Sequence, residues 1–478
     1  MIIGENLSIE QKLQILGDAA KFDVACTSSG ADRGGNGFSM GNAVKAGLCH
    51  SFTADGRCIS LLKILMTNEC VYQCRYCINR ASNDVLRATF TPEEVAKLTI
   101  EFYRRNYIEG LFLSSGIYPT PQASAERMLE AVRLLRNQYH FGGYIHIKSI
   151  PGADEATVCE IGWLADRMSV NLELPTAAGL ETMAPNKSRK SILTPMKLIQ
   201  SGIHHDKNIL LLNDARNLKN KPEKQELFIP QGAGNILPAA DNKWPVKQGN
   251  TFLRPKGAMK HFVPAGQSTQ MIIGATMESD YQIMAVTENL YQKFDLKRVF
   301  YSSFVNVNHD SDVPQWQGRQ LLDREHRLYQ ADFLLRFYQF HVEELLSPER
   351  PDFNMLVDPK CDYALRHLEL FPVEINTASY STLLKVPGVG VKSAQRIVKA
   401  RRTCMLDFKD IQKIGVVMKR AVYFITCRGR MMYPIHMTED NIVNYLIDDD
   451  RRKALAGDRI SYKQLSLFDL TGDQTVKI

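Results

Sequence analysis

The chain has no apolar stretch approaching the roughly 18 residues a membrane-spanning helix needs. The run from Leu61 to Met66, for example, is broken by Lys63. Met1 to Lys21 lacks a basic segment followed by an apolar one, so no secretory signal and a cytoplasmic location are expected. Ten cysteines in 478 residues are too few for a disulfide scaffold, and reduced thiols are the expectation. Hydrophobic residues at 44% and charged residues at 23% are ordinary globular usage, which excludes a disordered or fibrous chain. The length fits about two to four domains.

Charge of either sign is not scarce, but it is unevenly placed. The net charge is +7, yet Ser381 to Arg430 carries 12 Lys/Arg against two acids. Lys187 to His261 carries 14 against five, so the rest of the chain is acidic. Segregated basic blocks point to polyanionic partners.

From Ile59 to Val305 strand-like and helix-like patterns alternate. Strands are expected at Ile59–Met66, Gly110–Gly116, Gly143–Lys148, Met168–Leu174, Gln270–Gly274 and Arg298–Val305. Thr91-Pro92-Glu93-Glu94 combines an N-cap, a first-turn proline and a capping glutamate, so a helix should begin there. Further helices are expected over Ala123–Tyr139 and from Asp154. Six βα units predict an α/β fold, a partial (β/α)6 TIM-like barrel, with a doubly wound sheet as the fallback. In either case ligands would sit at the carboxyl ends of the strands. The polar stretch 201–267 reads as a basic insertion, a lid or mobile loop. Gln320–Leu346 reads as one long helix whose aromatic stripe (Tyr329, Phe333, Phe337, Phe340) is expected to pack in a core. The expected organisation is an extension over 1–50, a barrel over 51–346, a linker over 347–370, a helical domain over 371–430 and a tail over 431–478.

Directly after the first expected strand stands Cys70-Val71-Tyr72-Gln73-Cys74-Arg75-Tyr76-Cys77. Three thiolates in one loop suit a soft metal centre. A zinc site normally has four ligands in paired C-x2-C units, and the sequence has no second pair. Three ligands and one open position suit an iron–sulfur cluster, with zinc or structural thiols as the alternative.

The triplet, with Tyr76 just before its third cysteine, resembles the radical S-adenosylmethionine signature. That resemblance implies a 4Fe-4S cluster on Cys70, Cys74 and Cys77, with S-adenosyl-L-methionine on the open iron as the source of a 5′-deoxyadenosyl radical. It also implies cofactor contacts at Tyr76, at Ser114-Ser115-Gly116 where the family often has Gly-Gly-Glu, and at Ile272 and Gly274 in the adenine-contacting strand. Asn171 and Glu173 are further cofactor candidates, or ordinary polar groups at a barrel end.

Leu383–Val398 reads as two short helices around Val386-Pro387-Gly388-Val389-Gly390. The glycines allow a tight turn, and the N-terminus of the second helix offers backbone N–H groups and a positive dipole end. The segment resembles the helix-hairpin-helix motif, which grips a DNA backbone without reading sequence. Val386, Gly388, Gly390, Lys392, Arg396 and Lys399 are the expected DNA contacts; the alternative is a plain glycine turn between core helices. Lys413–Ala421 reads as a weaker, mainly structural copy.

The whole arrangement is similar to the DNA modification/repair radical S-adenosylmethionine proteins, including Asp323–Asp332 and Phe371–Asn376. This implies a radical enzyme acting on DNA bases and a uracil-DNA-glycosylase-like partner. A glycosylase with a redox-silent cluster, or a cluster-bearing DNA adaptor, is the alternative. Near the end, Gln464-Leu465-Ser466-Leu467-Phe468 resembles the peptide that docks on the bacterial sliding clamp, unless these apolar residues pack on the chain's own core.

Overall fold

The computed structural model describes residues 7–20, 48–52, 58–218, 254–316, 319–433 and 437–446. The Gln464–Phe468 peptide, most of the extension over 1–50 and the middle of the 201–267 insertion lie outside the described residues. The chain divides into two units, Met1–Met277 with Asn289–Trp316, and Glu278–Glu288 with Gln317–Ile478.

In the first unit, seven strands lie in sequence order: β1 (Leu48–Phe52), β2 (Cys58–Leu65), β3 (Gly110–Ser114), β4 (Tyr144–Lys148), β5 (Arg167–Ser169), β6 (Gln267–Ile273) and β7 (Arg298–Ser303). β1 is antiparallel to β2, and β2 to β7 are parallel. The strand order never reverses, as it would in a doubly wound sheet, and β1 and β7 remain edges. The result is a six-stranded half-barrel with one added antiparallel strand. Leu61, Ile64, Leu111, Leu113, Ile145, Ile147, Met271 and Ile273 are buried, as strands covered on both faces require.

Local chemistry sets the helices. Thr91 and Glu94 form the reciprocal capping box at the start of the Pro92–Arg104 helix. Thr120 caps Pro121–Arg133, and Asp154 caps Glu155–Leu164. The fourth strand is shorter than expected. It stops at Ser169; beyond it the chain stays bonded to β6 irregularly, through Thr269 to Val170 O and Leu172 N and through the Glu173–Met271 bridge, with Glu173 at φ 67.

The expected 201–267 loop is partly helix, because Arg189–Leu218 runs through its beginning. Its end is pinned: the Phe262 ring packs edge-on against Trp163 and fills a slot left by Gly162 and Gly202. A Cβ at Gly162 would stand 2.2 Å from that ring.

In the second unit, the long helix covers Gln320–Phe337 and does not reach Leu346. Gln339 adopts φ 59, which ends it, and a short helix follows at Val342–Leu345. The aromatic stripe is therefore split. Phe340 is buried, but Phe333 and Phe337 are 48% and 49% exposed. The expected linker is folded: Asp358 caps a Pro359–Arg366 helix that buries Cys361, Tyr363 and Leu365.

Helices Tyr380–Lys385, Val391–Ala400, Phe408–Ile414 and Met418–Ala421 follow. This region is helical, as expected, with one two-residue strand pair added. β8 (Val373–Glu374) pairs in parallel with β9 (Ile425–Thr426), and Glu374 accepts from Thr426 and the Gly429 N–H, which ties the two ends together. Among the described residues no helix is long and apolar enough to cross a membrane.

Candidate metal centre and nucleic-acid interface

The cysteine loop leaves the carboxyl end of β2 and is held from several sides. Gly116 lies where a Cβ would stand 2.2 Å from the Glu69 carbonyl oxygen, and its N–H donates to Thr67 O. Glycine is required for that approach. The Arg75 guanidinium binds Asp310 through two bonds of 2.7 Å, which holds Asp310 down to about pKa 2. Asn308 donates to the carbonyls of Arg75 and Cys77. Beneath the loop, Arg87 is 1% exposed. It donates to the carbonyls of Asn68, Asn79, Arg80 and Asn83, and its Nε has no partner. No carboxylate among the described residues pairs with it.

Cys70, Cys74 and Cys77 are free thiols. Burial pushes Cys77 up to about 12 and raises Cys74 as well. Only a bound metal would hold such thiols as thiolates. Among the described residues no three Cys, His, Asp or Glu side chains converge on a single-ion site. A four-iron cluster is broader than an ion, so its ligands stand farther apart. Three soft donors in one loop, with the charged Lys187 amine acting on Cys74 and Cys77, fit that group.

The expected polar residues stand at the same strand ends. Glu173 is buried and accepts from Lys187 Nζ at 2.8 Å, and Lys187 reaches the Tyr76 hydroxyl at 3.3 Å. Burial alone would lower the Lys187 pKa, but Glu173, Tyr76 and Cys74 outweigh it and hold the amine charged. Asn171 meets Gln270 at 3.5 Å. The Ser114 hydroxyl is buried with no hydrogen-bond partner, whereas Ser115 turns onto Gly116 O. Ile272 is half-buried in β6, and Gly274 (φ 83) accepts from Trp316 Nε1 through its carbonyl.

Sequence reading missed Arg87, Asn308 and Asp310 and counted Lys187 within the basic block that runs to His261. The pairing of Arg75 with a residue more than 200 positions away leaves no local signal. A cavity of about 620 Å³ lies among Pro92, Glu126, Glu130, Arg133 and Glu160 and contains none of these residues.

In the second unit the hairpin forms as its glycines dictate. Gly388 has φ 78; its carbonyl accepts the Val417 N–H, and a Cβ there would meet Val417 O at 2.5 Å. It therefore joins the two hairpins. Val386 is fully buried and belongs to the core, which removes its side chain from the expected contacts. Gly390 caps Val391–Ala400 without a side-chain bond and has space around it. Lys392, Arg396 and Lys399 are exposed, while Ser393, Ala394 and Ile397 are buried on the opposite face. Lys385 and Arg420 are paired with Glu344 and Asp358, so part of the basic block is neutralised from outside it. Lys360, buried, donates to Val389 O at 2.6 Å, and burial lowers it to about pKa 7.

Residues 371–418 match the helix-hairpin-helix motif. No curated protein sequence matches the chain. Similar solved structures include the FeFe-hydrogenase maturase HydG from Carboxydothermus hydrogenoformans (10% identity, 57% of this chain and 50% of that one, TM-score 0.36). Methylornithine synthase (PylB) is 13% identical over 55% of this chain and 60% of that one, with TM-score 0.35. Streptococcus suis SuiB is 10% identical over 57% and 45%, with TM-score 0.33. The chain thus spans about half the length of these structures.

Proposed function

We propose that this chain is a radical S-adenosylmethionine enzyme that acts on DNA. The observation that carries the reading is the loop of three free thiols at the carboxyl end of the first parallel strand, clamped by Arg87. Cys70, Cys74 and Cys77 would hold a 4Fe-4S cluster. When bound and reduced, that group supplies one electron for cleaving S-adenosylmethionine to an adenosyl radical.

The chain's own residues bind and orient. Ser114 offers a buried hydroxyl at the end of β3, and Gly116 keeps the cysteine loop close to that strand. The Glu173–Lys187 pair places opposite charges beside Tyr76, where the amino and carboxylate groups of an amino-acid moiety can be matched. Asn171, Ile272 and Gly274 complete the strand-end wall.

DNA is the proposed substrate or support because the matched hairpin presents a helix N-terminus at Gly390, whose first N–H faces the Tyr338 hydroxyl, beside exposed Lys392, Arg396 and Lys399. A reacting base would have to be unpaired or flipped out.

The test is anaerobic reconstitution followed by assay of iron, sulfide and 5′-deoxyadenosine. One 4Fe-4S cluster and reductive cleavage are expected, both lost in the C70A/C74A/C77A variant. Stoichiometric zinc in the wild type would sink the reading. A cluster without cleavage would leave a DNA-binding iron–sulfur adaptor. Binding to DNA of any sequence should weaken steeply with salt, with a log–log slope near −0.9 per phosphate neutralised on duplex DNA.

A further inference from the structure

The exposed aromatics of the Gln320–Phe337 helix are unexplained by the fold. Phe333 and Phe337 are one helical turn apart on one face, with ring centroids at 4.6 Å, and about half of each residue is open to solvent. Tyr338 continues the cluster, 5.8 Å from Phe333. Its hydroxyl lies 3.6 Å from where a Gly390 Cβ would stand and faces the Val391 N–H, the first turn of the hairpin's second helix. Cations flank the rings: the Arg336 guanidinium lies 4.9 Å from the centre of Phe337, and the Lys360 amine 4.6 Å from that of Tyr338.

Tyr338 thus connects an aromatic surface to a backbone phosphate site inside one unit. Phosphate contacts to a helix N-terminus hold any DNA, whereas exposed aromatic faces add affinity only where bases are unstacked. The basic charge around the hairpin, with Lys392, Arg396 and Lys399 exposed, selects a polyanion as occupant over a neutral or basic protein surface, and the aromatic faces beside it favour unstacked bases.

We propose that Phe333, Phe337 and Tyr338 form a stacking platform for unpaired nucleobases, continuous with the Gly390 phosphate site, so that this unit takes single-stranded DNA. The proposal rests on the DNA reading above but not on the metal centre.

The test is fluorescence anisotropy of the full chain with a labelled thymidine 20-mer and with a duplex of the same length, at several salt concentrations. The variants are F333L/F337L, which keeps apolar bulk without aromatic faces, and F333W/F337W, which restores them. The expected result is a loss of about tenfold or more in single-strand affinity for the leucine pair, with duplex affinity and salt slope unchanged, and recovery in the tryptophan pair. A leucine variant that binds single strands as the wild type does, or loses both DNA forms equally, overturns the platform but leaves DNA binding standing. Absence of binding to either form at low salt by the wild type overturns both. If the face instead joins two copies of the chain, sedimentation shows concentration-dependent association that the leucine pair abolishes while DNA affinity stays constant, and the platform falls.

Discussion

Replacing Arg87 by Met tests whether the cysteine loop is preformed by a buried cation. The guanidinium makes four hydrogen bonds to main-chain oxygens spread from Asn68 to Asn83, on both sides of the three cysteines. A hydrogen bond from a charged group contributes about 1.5–3 kcal/mol net. Burying a charge without a counter-charge costs several kcal/mol, and methionine of similar length relieves that cost. Four bonds at the lower end of that range still outweigh the saving, leaving a net loss of about 3 kcal/mol. With a urea slope of about 3 kcal/mol/M for a unit this large, the midpoint should fall by about 1 M.

The metal-loaded protein should suffer more than the apo protein. There the clamp also fixes the loop that would carry the three thiolates, so R87M should release iron to a chelator faster, by about tenfold for each 1.4 kcal/mol of lost retention. R87K keeps the charge but not the planar fork, and one ammonium cannot span four separated carbonyls. It should unfold close to R87M and retain iron between R87M and wild type. The assay is a pair of urea titrations, apo and reconstituted, beside iron release under chelator. An R87M protein with wild-type midpoint and wild-type iron release would refute the clamp.

Gly116→Ala drives a Cβ into the Glu69 carbonyl and should cost about 2–3 kcal/mol and most of the iron, while Gly142→Ala, with open space around it, should be silent in the same melts. Gly388→Ala should destabilise the hairpins against Val417, whereas Gly390→Ala should fold normally; circular dichroism and DNA titration separate the two. Glu173→Gln leaves Lys187 buried without its counter-charge and should lower stability by about 3–5 kcal/mol, read by urea melts. Lys360 has its folded pKa depressed to about 7, so between pH 7 and the ordinary lysine range the unfolded chain binds more protons and stability rises with pH. K360M should flatten that rise, seen by comparing urea midpoints at pH 7 and pH 9.

What the sequence disclosed was mostly local. Thr91 and Glu94 specify a helix start within four residues, and the three cysteines of the proposed metal loop stand within eight. The parallel order of six strands followed from alternation alone. The failures came where a neighbour distant in sequence decides. Lys187 counts toward a polyanion-binding basic block until Glu173 and Tyr76 are seen to engage it. Helical spacing placed Phe333 and Phe337 on one face, but nothing in the period says whether that face is covered. The supposed linker carried an overlooked signal, since Asp358-Pro359 is a helix start of the same kind as Thr91-Pro92.

The two units treat buried charge in the same way, and the choice of residue in each follows from acid–base chemistry. Arg87 holds the cysteine loop, and Lys360 holds the hairpin at Val389, in both cases through main-chain carbonyls. Neutral oxygens satisfy the donors without a direct salt bridge, although Asp358 acts on Lys360 through space, so an anion arriving at either loop is attracted without first breaking an ion pair. Under the proposed reading those anions are a thiolate-bound cluster and a phosphate. Arginine cannot be deprotonated in a protein, which suits a site whose anion is permanent. Lysine can lose its proton, and burial has already brought Lys360 to about pKa 7. A phosphate bound at Gly390 would raise that value and draw a proton onto Lys360. DNA binding near neutral pH should therefore be accompanied by proton uptake, measurable as a dependence of the calorimetric heat on the ionisation enthalpy of the buffer. A heat that is identical in phosphate and Tris buffers, or a dependence that persists in K360M, would remove Lys360 from the binding reaction.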